Sequence, residues 1–186
     1  VTIEHVYGET TIESAPERVA AVAWANAETA LALGVVPVVM PAISYGGNEQ
    51  GTTPWIDEAL EELDAPIGSE NAPDLYSDTD GIDFESVAAA DPDVILAAYS
   101  GLTQEDYDTL SEIAPVVAYP ETAWGTSWRE MVEYNSTALG LAEEGEQLVA
   151  DLEQEMTDAA AKFPSLAGKS AMFMTHVDTT DLSEVS

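Results

Sequence analysis

Histidine, the most frequent general base in enzymes, occurs twice in the chain, at His5 and His176, and cysteine does not occur. A Ser-His-Asp triad needs a histidine beside a nucleophile. His5 falls in a predicted hairpin and His176 in a predicted strand near the carboxyl end, and neither follows a strand of the main sheet. Both are expected to be structural or exposed rather than catalytic. Without cysteine there are no disulfides, no thiolate catalysis and no Cys-ligated zinc, which weakly favours a location outside the cytoplasm. The chain contains no G-x-G-x-x-G, no P-loop and no G-x-S-x-G. Asp78-Thr79-Asp80-Gly81 resembles the start of a calcium loop, but the later ligands and the terminal bidentate glutamate do not follow. Paired carboxylates arise by chance in so acidic a chain, so they single out no base.

A set of aromatic residues is more informative. Trp24, Tyr45, Tyr99, Trp124 and Trp128 all fall in loops after predicted strands or at helix starts, with Ser100 and Arg129 beside them. Core aromatics more often lie within strands or on helix stripes. Rings at loop ends flanked by Ser, Thr and Gly suit an apolar pocket with a few polar contacts, able to pack over a metal chelate or stack on a catechol ring. The competing reading is ordinary packing beneath loops.

These residues need a scaffold, and the sequence predicts one. Val1 to Glu13 alternates around Tyr7-Gly8-Glu9 as a hairpin. Arg18 to Trp24 and Val35 to Met40 are nearly continuous apolar runs, suited to strands covered on both faces. Between them Asn26 is placed as a helix N-cap, with Gly34 past the helix end. Thr53-Pro54 opens a second helix, and Ala65 to Gly68 is read as a short strand. Asp83 caps a helix over Phe84 to Ala90, ahead of the clearest strand, Asp93 to Tyr99. Thr103 caps a helix to Ile113, Val116 to Tyr119 is a strand, and Ser127 with Glu130 forms a capping box for a helix ending near Gly140. The alternation implies an α/β fold: a mainly parallel sheet with helices on both faces. Ligands on such sheets bind beyond the carboxyl ends of the strands.

From Leu141 to Phe163 the pattern changes to one long helix, about 30 Å if continuous. Pro164 ends it, and Ser170 to Thr175 reads as an orphan strand. The long helix and the strand after it set residues 141–164 and 165–186 apart from the α/β part over 1–140.

The charge balance is extreme: 36 Asp and Glu against 4 Lys and Arg, a net charge of −32. Such a chain repels phosphate backbones, which argues against nucleic acid, and anionic lipid. It attracts cations and metal complexes, or it serves solubility in high salt or acid. Hydrophobic residues still make up 46% of the sequence, and the acids are scattered among apolar periodicity, so a folded domain is expected. No apolar run approaches the roughly 20 residues of a membrane span. No basic n-region with an apolar h-region opens the sequence, so any secretion signal is expected to be removed or absent.

The order of segments resembles periplasmic iron-siderophore and vitamin B12 binding proteins, the substrate-binding subunits of ABC transporters. Pro16-Glu17-Arg18-Val19 is similar to the family's x-P-x-R-V stretch. Asn26 to Val39 resembles its helix ending in Leu-Gly before V-x-P-V-G, with Val39 in place of the glycine. Asp83-Phe84-Glu85 through Asp91-Pro92-Asp93-Val94-Ile95 matches its most characteristic stretch, and Tyr99 to Thr103 and Ile113 to Val117 also fit. The resemblance implies binding without chemistry: a ferric siderophore, with no resident cofactor, is captured between the two lobes of a clamshell and delivered to an ABC permease. It also implies that the chain comprises an amino-terminal α/β lobe over 1–140, a long inter-lobe helix over 141–164 and the start of a truncated second lobe over 165–186. It implies a periplasmic or cell-surface lipoprotein that meets the membrane only through an anchor or the permease. It also implies that Glu85 docks on permease arginines, although a solvated first-turn glutamate favouring the helix dipole explains that residue equally well. The ligand-facing set on this reading is Trp24, Tyr45, Tyr99, Ser100, Trp124, Trp128 and Arg129. With only Arg18 and Arg129 in the lobe, a neutral or cationic chelate is expected over a triply anionic catecholate. Three alternatives stay open: a vitamin B12 or haem carrier of the same fold, an α/β enzyme with a carboxylate base, and a scaffold module that binds nothing by itself.

Overall fold

Neighbouring apolar residues on a strand face opposite sides of a sheet, so a run such as Val19-Ala20-Ala21 must be covered twice. The computed structural model, which describes residues 1–172, shows that covering. Five short strands, β3 (Val19–Ala21), β4 (Val39–Pro41), β5 (Asp74–Tyr76), β6 (Val94–Leu96) and β7 (Val116–Val117), pair in parallel in the order β5-β4-β3-β6-β7. Ala20, Val39, Ile95 and Val116 point to one face, where Val87 of α3 (Phe84–Ala89) and Leu110 of α4 (Gln104–Ser111) meet them. Val19, Val94, Leu96 and Val117 point to the other, against Ala30 of α1 (Asn26–Ala32) and Ala138 and Leu139 of α5 (Trp128–Leu139). On that face Ala21 and Met40 pack with Ile56 and Leu60 of α2 (Pro54–Glu62). Each fully buried Val, Ile or Leu contributes about 1.5–3 kcal/mol.

The hairpin of β1 (Thr2–His5) and β2 (Gly8–Thr11) closes the β7 edge. Val6 N–H donates to the Tyr119 carbonyl at 3.0 Å, and the Thr10 hydroxyl donates to the Val116 carbonyl at 2.7 Å. These bonds occupy strand-edge groups that would otherwise invite another chain. His5 is buried there, its Nε2 2.8 Å from the Thr10 hydroxyl, and burial holds its imidazole below the usual range.

Three expectations need correction. Ala65 to Gly68 is no strand: Asp64 takes φ 56° and Ala65 N–H returns to the Leu60 carbonyl, so the segment is the turn leaving α2. The strand comes later as β5, an edge strand in which only Tyr76 is fully buried, too short and polar to read as apolar periodicity. The apolar run from Val35 becomes strand only at Val39, because Val35 N–H still bonds the end of α1 at Ala30. Asn26 does not cap α1. Ala25, at φ 63°, occupies that position without a side-chain bond, and the Asn26 amide is used elsewhere, as shown below.

The chain divides into two compact units, Val1–Asp151 and Leu152–Ser186, with the boundary inside α6 (Ala142–Ala161). Gly145 of α6 packs so closely on Ser136 of α5 that a Cβ would stand 2.1 Å from the serine hydroxyl. In the second unit a 3-10 turn spans Pro164–Leu166. Ser170 to Met172 carries no regular structure, and the remainder of the predicted strand, with His176, lies outside the described residues.

Candidate functional site

From β3 the chain winds outward through β4 to β5, then returns to β6 on the other side of β3 and continues to β7. The loops after β3 and β6 therefore leave in opposite directions, which opens a crevice at their carboxyl ends, the usual ligand position in open α/β sheets.

Asn26 sews that crevice together. Its amide nitrogen donates to the carbonyls of Val22 at 2.8 Å, Trp24 at 3.3 Å and Tyr99 at 3.0 Å. Its oxygen accepts from Tyr99 N–H and from the Asn135 amide of α5, both at 3.1 Å. One buried side chain thus fixes the loops after β3 and β6 and ties both to α5. A second set of bonds fixes the β7–α5 loop. Trp124 N–H donates to the Ser100 carbonyl at 2.9 Å, and the Thr126 hydroxyl donates to the Ala98 carbonyl at 2.7 Å. Trp124 takes φ 58°, and its indole lies on the backbone of Gly101, where a Cβ would stand 2.2 Å from Nε1. Glycine at 101 is what lets the ring sit there. The Leu102 carbonyl accepts from the Tyr7 hydroxyl and from the Tyr119 hydroxyl at 3.2 Å, so the hairpin tip braces the same loop.

These loops, with the segment between β5 and α3 and the start of α4, border an open pocket of about 260 Å³, lined by Ala23, Asp78, Gly81, Ile82, Gly101, Leu102, Asp106 and Trp124. Apolar walls stand beside two carboxylates. Tyr76, 96% buried if counted from its 4% exposure, ends β5 just before Asp78. Its hydroxyl has no hydrogen-bond partner among the described residues. Burial first, then the charges of Asp78 and Asp83, push that hydroxyl far above the usual tyrosine range. The Ala23 backbone N–H acts in the opposite sense, without the geometry of a hydrogen bond.

The structure separates the residues singled out from the sequence. Trp124 lines the pocket, 54% exposed, and Tyr99 meets it edge-on with ring centroids 5.4 Å apart. Ser100 is buried behind them, its hydroxyl unpartnered among the described residues. Trp24, 48% exposed, follows the pocket residue Ala23. Tyr45 stands 83% exposed in the loop after β4. Trp128 opens α5 with the Arg129 guanidinium 4.4 Å over its ring, and Arg129 lines a separate hollow with Ser136, Gly145 and Val149. Glu85 is exposed in the first turn of α3, after Asp83, whose carboxylate caps the helix at Ser86 N–H, 3.0 Å. Among the described residues no group of acidic or histidine side chains could hold a metal ion.

Sequence reasoning missed Asn26 as a clamp, together with Asp78 and Asp106 as pocket groups. The sequence marks Asp78 only as part of a calcium-loop resemblance. The signal available for Asn26 was a polar amide immediately after a strand, where an N-cap explanation sufficed.

Known proteins share this fold. The periplasmic binding protein family matches residues 19–179. A probable siderophore-binding lipoprotein, YfiY of Bacillus subtilis, is 27% identical over 172 residues, covering 90% of this chain and 47% of that protein. The crystal structure of Streptococcus pneumoniae PiaA in complex with ferrichrome superposes with a TM-score of 0.83 at 43% identity, covering 90% of this chain and 54% of that one. A periplasmic solute-binding protein from Mycobacterium smegmatis gives 0.79 at 30% identity, covering 91% and 56%. The chain spans about half the length of these relatives.

Proposed function

The chain belongs to the periplasmic binding protein family, and from that premise we propose that it forms the ligand-facing lobe of an extracytoplasmic receptor that captures a ferric siderophore and passes it to an ABC permease. The observation that carries the reading is the pocket at the switch between β3 and β6, where Trp124 presents its ring beside Gly101 and Leu102. An indole face and apolar loop backbone suit the organic shell of a chelate, and the aspartates supply a polar margin. The ferrichrome complex of PiaA is a relative with a ligand of this class. On the same reading residues 1–140 are the lobe, 141–164 the inter-lobe helix and 165–186 the start of a second lobe. Glu85 meets the permease, and the protein works as a periplasmic or cell-surface lipoprotein. The role is capture and release, with no bond made or broken.

Titrating the protein with a ferric hydroxamate, a ferric catecholate, haem and cobalamin, and following tryptophan fluorescence, tests this. Saturable quenching by a ferric siderophore is expected. Saturation by haem or cobalamin alone, or by none of the four, contradicts the proposal.

A further inference from the structure

We infer that Asp78 and Asp106 act as a charge filter in this pocket, so that the lobe selects chelates presenting a cationic group to it and rejects anionic ones. The inference rests on the siderophore reading above and adds the ligand's charge. Both aspartates line the pocket together with Ile82, Leu102 and Trp124, whose low polarity strengthens any charge interaction made there. Asp106 gives one oxygen, Oδ2, to the Thr103 N–H and hydroxyl in the capping box of α4, at 2.9 and 2.7 Å. Among the described residues nothing bonds its Oδ1 or the Asp78 carboxylate, and the charge of Asp78 reaches Tyr76. The buried Tyr76 hydroxyl has no partner among the described residues, so it donates nothing to Asp78.

No cation of this unit balances those charges. It holds two of the chain's four basic side chains. Arg18 bonds the Ala90 and Asp91 carbonyls just ahead of β3, and so lies at the amino edge of the sheet. Arg129 lies over Trp128 and lines the separate hollow against α6. An anionic chelate entering the pocket would meet two like charges in a partly apolar setting, with no counter-charge from this lobe. An ammonium-bearing chelate would meet two carboxylates.

The experiment compares three ferric complexes on the intact protein: a linear trihydroxamate carrying one ammonium group, a neutral cyclic trihydroxamate and a triply negative tris-catecholate. The cationic complex is expected to bind best and the catecholate worst. Asp78→Asn should weaken the cationic complex about five-fold more than it weakens the neutral one. Raising salt should weaken the cationic complex and spare the neutral one in the wild type, a readout that needs no variant. Asp106→Asn should act in the same direction, and its thermal melt separates loss of the cap from loss of charge. If the catecholate binds as tightly as the cationic complex, or Asp78→Asn weakens both trihydroxamates alike, the charge filter is overturned while the siderophore reading stands. If no ferric chelate binds, both fall.

Discussion

At the residue scale, Asn26 governs the site although it lines no part of the pocket. It satisfies the Tyr99 N–H and the Asn135 amide in a buried setting, and each such donor left alone costs about 1–3 kcal/mol. Asn26→Ala should therefore cost about 3 kcal/mol or more in a denaturant melt, and a loss below about 1 kcal/mol would mean that the loops hold themselves. Glu28, in the first turn of the same helix, behaves differently. Burial raises its carboxyl above the ordinary glutamate range, with its own backbone N–H opposing weakly. The folded state thus holds that proton more tightly than the unfolded chain. Its penalty is absent in acid and grows as pH rises through the raised value. Glu28→Gln should raise the melting temperature at neutral pH, with the gain vanishing below the ordinary glutamate range. A gain that persists in acid would point to some cause other than ionisation.

At the element scale, most of the framework was legible because local chemistry and tertiary demand agreed. Thr53-Pro54, Asp83, Thr103 and Ser127 all cap helices as their sequences indicate, and the strands beginning near Val19, Val94 and Val116 are apolar because both faces are covered. What could not be read were places where tertiary contacts outbid local preference. The β5 edge strand has one partner and little apolar signal, and Asn26 gives up a capping role for a bridge between loops. Of the aromatic set, the contact between Trp124 and Tyr99 depends on Gly101 having no side chain, a relation no spacing rule reveals. The capping box of α5 is a direct test of the agreement. Ser127 accepts from Glu130 N–H and holds the Glu130 carboxyl below its ordinary range through side-chain and backbone bonds. Ser127→Ala should cost about 1 kcal/mol. The difference from wild type should shrink as pH falls through that depressed carboxyl value, since the stabilisation is present above the ordinary glutamate range and lost in acid. A pH-independent cost would place the effect in the cap hydroxyl alone.

At the scale of the whole molecule, charge and site geometry meet. A net charge of −32 over 186 residues makes self-repulsion a standing cost to the compact state, and salt screens it, the Debye length falling from about 10 Å at 0.1 M to about 3 Å at 1 M. The melting temperature should rise steadily over that range, and a fall would show that the acids are compensated internally. The same field draws cationic complexes toward a pocket that the fold builds at one defined place, the switch between β3 and β6. An anomalous-difference map at the iron edge, from crystals grown with a ferric trihydroxamate, locates the metal without reference to any mutant. One iron peak is expected beyond the carboxyl ends of β3 and β6, facing Trp124 and the Gly101-Leu102 backbone. A peak in the hollow lined by Arg129 and Gly145, or at the amino edge of the sheet near Arg18, would contradict it.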